Sequence, residues 1–365
     1  MKGILPQVAV LREIDAAKPR TSALLLTRAE RYRHVERAIL GLYRWYVSHS
    51  QRTRNWNPDR DFDWRQFQSN HSETVVSIIQ GFFAVEQFTP DYVTTILRLV
   101  RRSHGRSHFM MRWGSEEEKH ADLWRNALLA TGERSVAWVE DYMDILRSKE
   151  WMLPFEDPLR ILFYQVVQER ATQVNYLNMA LIAQGELQPE KYGADADPVL
   201  AQVARTIAVD EAAHYKFFQE IFRIFLYYLP DEAAAAILDV VNHFYMPGGE
   251  LIPDINVFNE ALFRARIYGP RQYAADVLEP VFKSMGLANR RKLEAAVRAS
   301  RQVPDTDGGF RGTAIFESLD FRHVEDSVRK TFRRIELYED RAGIAAFSNV
   351  RFLPNGFAAQ PRVPV

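Results

Sequence analysis

Along most of the chain, apolar residues return every three or four positions, the period of a helix with one buried face. The two-residue alternation of a half-buried strand is not evident anywhere. The pattern predicts a first long helix over 21–51, with Val35, Ile39 and Leu42 on its apolar side. Arg28, Arg31, Arg33, Arg37 and Arg44 read as its solvated side. Residues 55–61 form a turn-rich connector around Pro58. A helix over 72–101 is expected to break near Thr89, because Pro90 removes a backbone donor inside it. Helices follow over 103–130, ended by Thr131-Gly132, then over 136–149, 159–183 and 198–228, with a turn at 189–193 and a stop at Pro230. Further helices are expected over 231–244, 254–267, 270–284, 288–301 and 319–340, with a loop at 305–309.

Four of these helices carry acids inside apolar stretches. Glu117 and His120 are three residues apart, as are Glu211 and His214, so each pair projects from one face of its helix. A carboxylate and an imidazole aimed together from a rigid helix are two ligands of a metal site. One such pair arises easily by chance. Here each is preceded by a lone acid in an apolar helix, Glu86 before the first and Glu169 before the second. The order Glu, Glu-x-x-His, Glu, Glu-x-x-His is the ligand set of a four-helix di-iron carboxylate bundle. Charge balance agrees. Four buried carboxylates need about four positive charges, which two divalent ions supply. Carboxylate–imidazole ligation suits iron or manganese and does not separate them. Glu116 and Asp210, each just before a ligand Glu, either orient the ligand His rings or, lying 100° round the helix, point outward.

With these residues in view, the chain resembles the soluble acyl-carrier-protein desaturases, the plant stearoyl type and its bacterial relatives. Gln168-Glu169-Arg170-Ala171-Thr172 reproduces that family's QERAT signature. Residues 113–123 are similar to its W-T-A-E-E-N-R-H-G-D-L segment, and Asp210-Glu211-Ala212-Ala213-His214 to its D-E-K-R-H motif. Glu86, Pro90 and Tyr92 match a third segment, and Met246-Pro247 and residues 268–278 have counterparts too. The likeness covers most of the chain, and is weakest over the first 20 residues and after about 340.

The resemblance implies an all-α, ferritin-like four-helix di-iron bundle with additional flanking helices. The metal-binding bundle spans about 70–228, further helices about 231–340, and an extended tail 341–365. It implies two ferrous ions per chain held by Glu86, Glu117, His120, Glu169, Glu211 and His214, manganese remaining open. It implies an O2-dependent desaturation of an acyl chain on acyl carrier protein, a ferredoxin-type electron donor and a homodimer. Thr172, one turn beyond Glu169, either manages the oxygen intermediate as the family's Thr does, or simply bonds its own i−4 carbonyl. Thr95, Leu99, Ile161 and Leu162 are carried over as substrate-tunnel positions, with Ile161 replacing a family Gly. A di-iron hydroxylase or N-oxygenase is the alternative, and an iron-storage ferritin relative a further one. The latter leaves about 150 residues after His214 without a use.

Composition narrows the partners. Formal net charge is zero, which gives a nucleic-acid role no electrostatic support. There is no Cys among the 365 residues, so no thiol catalysis, disulfide or Cys-held iron–sulfur relay operates within them. No G-x-G-x-x-G follows a strand. Electrons therefore have to come from another protein. No apolar run reaches the length of a membrane span and residues 1–20 lack a signal-peptide pattern, so a cytoplasmic protein is expected. Arg98, Arg101, Arg102 and Arg106 form a basic run that reads either as a solvated face or as a docking site for an acidic carrier protein.

Overall fold

The computed structural model describes residues 26–300 and 313–344. Residues 1–25, the expected loop at 305–309 and the tail from 345 lie outside the described residues. Among those described there is helix and no strand. The helices used below are α1 (Arg28–Trp45), α2 (Glu73–Glu86), α3 (Thr89–Val100), α4 (His104–Ala130), α5 (Val136–Arg147), α6 (Pro158–Ala183), α7 (Pro198–Tyr228), α8 (Pro230–His243) and α9 (Ile255–Arg264). Then Pro270–Gln272, the π segment Tyr273–Leu278 and Glu279–Ser284 run on without interruption as α10. Last come α11 (Arg290–Ser300) and α12 (Phe321–Ala342).

The starts of the central helices are written locally. Asp157 and Asp197 each precede a proline at the first helical position, and each carboxylate accepts from the next two backbone N–H groups. That satisfies donors a helix start leaves free, and the proline has none to lose. Ser72 caps α2 in the same manner through the Val75 N–H. Helix α2 ends on Glu86. The chain turns through Gln87 and Phe88 before α3 starts at Thr89, with Pro90 second, and Thr89 Oγ1 donates to the Glu86 carbonyl at 2.9 Å. The expected break is therefore present and leaves an acid at a helix terminus.

Four helices form the centre: α2 packs on α4, α6 packs along α7, and α4 meets α7. Helix α1 covers the α4/α7 side, with α12 laid on α1 and α7, while α9 packs on α2. This is an all-α arrangement with a four-helix centre and flanking helices. Burial of α1 between α4, α7 and α12 corrects its arginine face. Arg31 and Arg37 are buried, donating to the Tyr228 carbonyl and pairing with Glu339 of α12 respectively. Only part of that face is solvated. The expected turn at 189–193 contains a short helix, Pro189–Tyr192. Among the described residues no helix is long and apolar enough to cross a membrane.

Candidate metal centre

The bundle brings together the six residues singled out by spacing. Glu86 comes from the end of α2, Glu117 and His120 from α4, Glu169 from α6, and Glu211 and His214 from α7. All are buried, and His120, Glu169, Glu211 and His214 have no exposed surface. They fall into two sets whose donor atoms lie within 4.8 Å of one another: Glu86, Glu117, His120 and Glu211, and Glu117, Glu169, Glu211 and His214. Glu117 and Glu211 belong to both.

Whether this cluster fits a pair of cations is tested by its free valences. Buried polar atoms normally find a hydrogen-bond partner. Here both Glu211 oxygens, Glu117 Oε1, Glu169 Oε2 and the Nδ1 atoms of His120 and His214 have none. His214 Nδ1 stands 2.9 Å from Glu117 Oε1 and 3.5 Å from Glu169 Oε2, and His120 Nδ1 3.3 Å from Glu117 Oε2 and 3.4 Å from Glu211 Oε1. These approaches lack hydrogen-bond geometry, so the lone pairs converge on shared points rather than on one another. The donor set fits two metal ions.

Electrostatics point the same way. Burial, and then the Glu117 charge, holds the Glu86 carboxyl well above the usual range; burial, and then Glu211, does so for Glu169. Burial opposes charge on His120 and His214 as well, but the acceptors around them raise both imidazoles well above their ordinary value. Glu211 is also opposed by burial, yet the neighbouring His120 and His214 bring it down to about 2. A cluster without cations thus retains protons, which cations displace on binding.

A polar layer fixes the imidazoles from behind. His214 Nε2 lies 2.7 Å from Glu116 Oε2, and His120 Nε2 lies 3.3 Å from Asp210 Oδ2. Of the two readings of Glu116 and Asp210, the structure selects the inward one, and the reason is reciprocal. Rotation by 100° from the ligand face points each acid at the α4/α7 interface, where it meets the histidine of the other helix. Arg54 donates from Nη1 to both acids, at 2.9 Å to Glu116 and 2.8 Å to Asp210. Tyr46 donates to Glu116 at 2.6 Å and the Trp56 indole to Asp210 at 3.0 Å. Trp113 Nε1 donates to Glu169 at 2.9 Å, and the Tyr176 hydroxyl donates to Glu86. Sequence reasoning missed Arg54, Tyr46 and Tyr176. Tyr176 had a signal, since it lies seven residues beyond Glu169 on the same face. Arg54 had none beyond the charge that two buried acids require.

On the other side the ligands border a cavity of about 430 Å3 between α2, α6, α9 and the segment after α8. Glu86 and Glu117 lie at its metal end, and Phe82, Tyr92, Tyr176 and Phe258 are among its aromatic walls. Thr172 also lines it, while its hydroxyl donates to the Gln168 carbonyl at 3.0 Å, so the i−4 bond is made at the cavity wall. None of the four carried-over tunnel positions lines this cavity. The break after Glu86 turns α3 away, so Thr95 bonds the Asp91 carbonyl and Leu99 borders a separate cleft beside Arg28 and Arg102. Ile161 and Leu162 are fully buried in the hydrophobic core near the start of α6. The basic run is also divided: Arg106 is buried against the Pro158 carbonyl, whereas Arg98, Arg101 and Arg102 are exposed.

Comparison with known proteins gives a match over residues 53–305 to the family described as fatty acid desaturase. The stearoyl-[acyl-carrier-protein] 9-desaturase 6, chloroplastic, of Arabidopsis thaliana is 29% identical over 216 residues, 55% of this chain and 53% of its own. The chloroplastic stearoyl-[acyl-carrier-protein] 9-desaturase 1 of Oryza sativa subsp. indica is 29% identical over 220 residues, 56% of this chain and 55% of its own. The chain thus spans just over half the length of these curated relatives. A solved structure of DesA2 from Mycobacterium tuberculosis H37Rv, named provisionally as an acyl-ACP desaturase, is similar with a TM-score of 0.49 and 21% identity, covering 71% of this chain and 98% of that one.

Proposed function

The chain belongs to the fatty acid desaturase family, and from that premise we propose that it introduces a double bond into a fatty acyl chain carried on acyl carrier protein. The observation that carries this reading is the pair of buried donor sets sharing Glu117 and Glu211 at the end of an aromatic cavity. Glu86, Glu117, His120 and Glu211 would hold one ferrous ion, and Glu117, Glu169, Glu211 and His214 the other. When bound, such a pair supplies from O2 an oxidant able to take hydrogen from an unactivated C–H bond. Oxygen chemistry favours iron over manganese.

The rest is done by this chain's own groups. Glu116 and Asp210 hold the Nε2 side of the ligand imidazoles, keeping Nδ1 toward the centre. Arg54 balances those two acids. The cavity walls exclude water and fix which methylene reaches the metal end. Thr172 holds a hydroxyl at that wall and is the candidate proton donor there, by turning off the Gln168 carbonyl. The balance is one O2, two hydrogens from adjacent carbons, two external electrons and two protons, giving one alkene and two waters. The external electrons come from a separate ferredoxin-type protein, since no Cys is available for an internal relay.

One observation favours a second reading. Asn175 Oδ1 and the Tyr268 hydroxyl border the same cavity, buried and without a hydrogen-bond partner. A substrate bearing a polar group satisfies them better than a plain hydrocarbon does, as a hydroxylase or N-oxygenase would require. Mass spectrometry of products after aerobic turnover with a panel of acyl carriers separates the two. The desaturase reading expects loss of two mass units and an alkene; gain of an oxygen atom would contradict it.

A further inference from the structure

On the α4/α7 side of the bundle, α1 and α12 enclose an open groove of about 760 Å3. Its floor is aromatic. The Trp45 ring lies 4.1 Å from the Arg334 guanidinium carbon and stacks on His49, which meets Tyr338 edge-on. Its wall is cationic. Lys330, Arg333 and Arg341 stand exposed along one face of α12, and among the described residues no acidic side chain lines the groove. Acids beside the groove pair with part of this cationic set, Glu220 with Arg334, Glu325 with Arg329 and Glu336 with Arg333 at 4.0 Å, while Glu339 pairs with Arg37.

None of the segments outside the described residues carries a net negative charge to complement it, and residues 301–312 hold Asp305 and Asp307 against Arg301 and Arg311. Residues 345–365 contain Arg351 and Arg362 and no Asp or Glu, and residues 1–25 have four basic side chains against Glu13 and Asp15. The charge of the groove favours an acidic partner from outside the chain.

Position and connection identify its kind. The cavity opens among α2, α6 and α9, across the four-helix centre from the groove. An acyl carrier must feed its chain into that cavity, so it does not belong in the groove, and a groove occupant leaves the cavity clear. Connection comes through Tyr46, the residue after Trp45. Tyr46 donates to Glu116 at 2.6 Å, and Glu116 faces His214 Nε2 at 2.7 Å. One peptide unit and two hydrogen bonds thus join the groove floor to a histidine of the centre.

We propose that this groove is the docking surface for an acidic one-electron carrier protein, with Trp45, Tyr46 and Glu116 linking it to His214. The inference rests on the desaturase reading, which needs two external electrons per double bond. Each docking event oxidises the carrier by one electron, so two events serve one turnover.

The test uses the iron-loaded full chain and an acidic plant-type [2Fe–2S] ferredoxin as the probe. Binding is measured by calorimetry for the wild type, for the triple charge reversal Lys330→Glu, Arg333→Glu, Arg341→Glu, and for the corresponding triple Gln variant. All three positions are exposed, so thermal unfolding should be unchanged in the variants. Wild-type affinity should fall with added salt. Charge reversal should weaken binding by about tenfold or more at low ionic strength, the Gln variant should fall between, and acyl-carrier affinity should not change. Ferredoxin affinity that ignores the reversal, absent binding by the wild type, or carrier affinity lost in parallel overturns the groove assignment. Alkene formation by the wild type with dithionite and methyl viologen is assayed separately; its absence overturns the desaturase reading instead.

Discussion

The four central helices use their two sides in opposite ways. On the α4/α7 side, Glu116, Asp210, Arg54, Tyr46 and Trp56 fill the space behind the histidines with a closed set of charged hydrogen bonds. On the α2/α6 side, the same cluster borders an aromatic cavity whose buried Asn175 Oδ1 and Tyr268 hydroxyl have no partner. One side is filled by charged hydrogen bonds, and the other is left open. Under the proposed function, the closed side would set the metal centre and the open side the substrate. Substitutions on the closed side should act on stability and metal affinity, and those on the open side on product.

The largest effect is expected at Arg54. Arg54→Met leaves Glu116 and Asp210 buried without their shared cation, and breaking a buried pair costs roughly 3–5 kcal/mol. Denaturant unfolding should show that loss; a change under about 1 kcal/mol would mean the layer does not depend on Arg54. Next come Glu116→Gln and Asp210→Asn, which keep the shape and remove the charge behind each imidazole. Metal affinity should fall by about 10–100-fold in chelator competition.

The proton inventory adds a pH test of the same side. Glu86, Glu169, His120 and His214 all have raised pKa values without cations, so each is more protonated at a given pH than an ordinary group. Metal binding must displace those protons, so affinity should climb as pH rises and metal addition should acidify a weakly buffered solution. Affinity that is independent of pH would contradict the directions given.

The smallest effect on stability, with a clear effect on product, is expected on the open side. A Cβ at Gly81 would run into the Phe258 ring, which borders the cavity. Gly81→Ala should push that ring inward and shift turnover toward shorter acyl chains, read by gas chromatography, while iron content stays unchanged. An altered iron content would show that the two sides are not separable.

The closed side was partly legible in sequence and the open side hardly at all. The Glu-x-x-His pairs and the acids before them stand out because helix spacing alone decides that they share a face. The break at Pro90 was equally local. Glu116 and Asp210 could not be placed from one helix, since their direction has meaning only once α4 and α7 are neighbours. Arg54 lies in an irregular run after α1 and reaches the centre through tertiary packing. The four carried-over positions lie away from this cavity for a related reason: Thr95 and Leu99 follow the break after Glu86, which turns α3 aside, and Ile161 and Leu162 are packed in the core. The cavity's far wall comes from α9 and the segment after α8, whose approach to α2 no local pattern announces.

Glu117 and Glu211 belong to both donor sets and would each serve two ions, whereas Glu86 and Glu169 would each serve one. Iron content after anaerobic loading, measured by plasma mass spectrometry, tests it most directly. The wild type should hold about two irons per chain. Glu86→Ala or Glu169→Ala should retain about one, and the Glu117→Ala, Glu211→Ala double variant should retain almost none. Two irons retained by that double variant, or a wild type that saturates at one, would contradict the account.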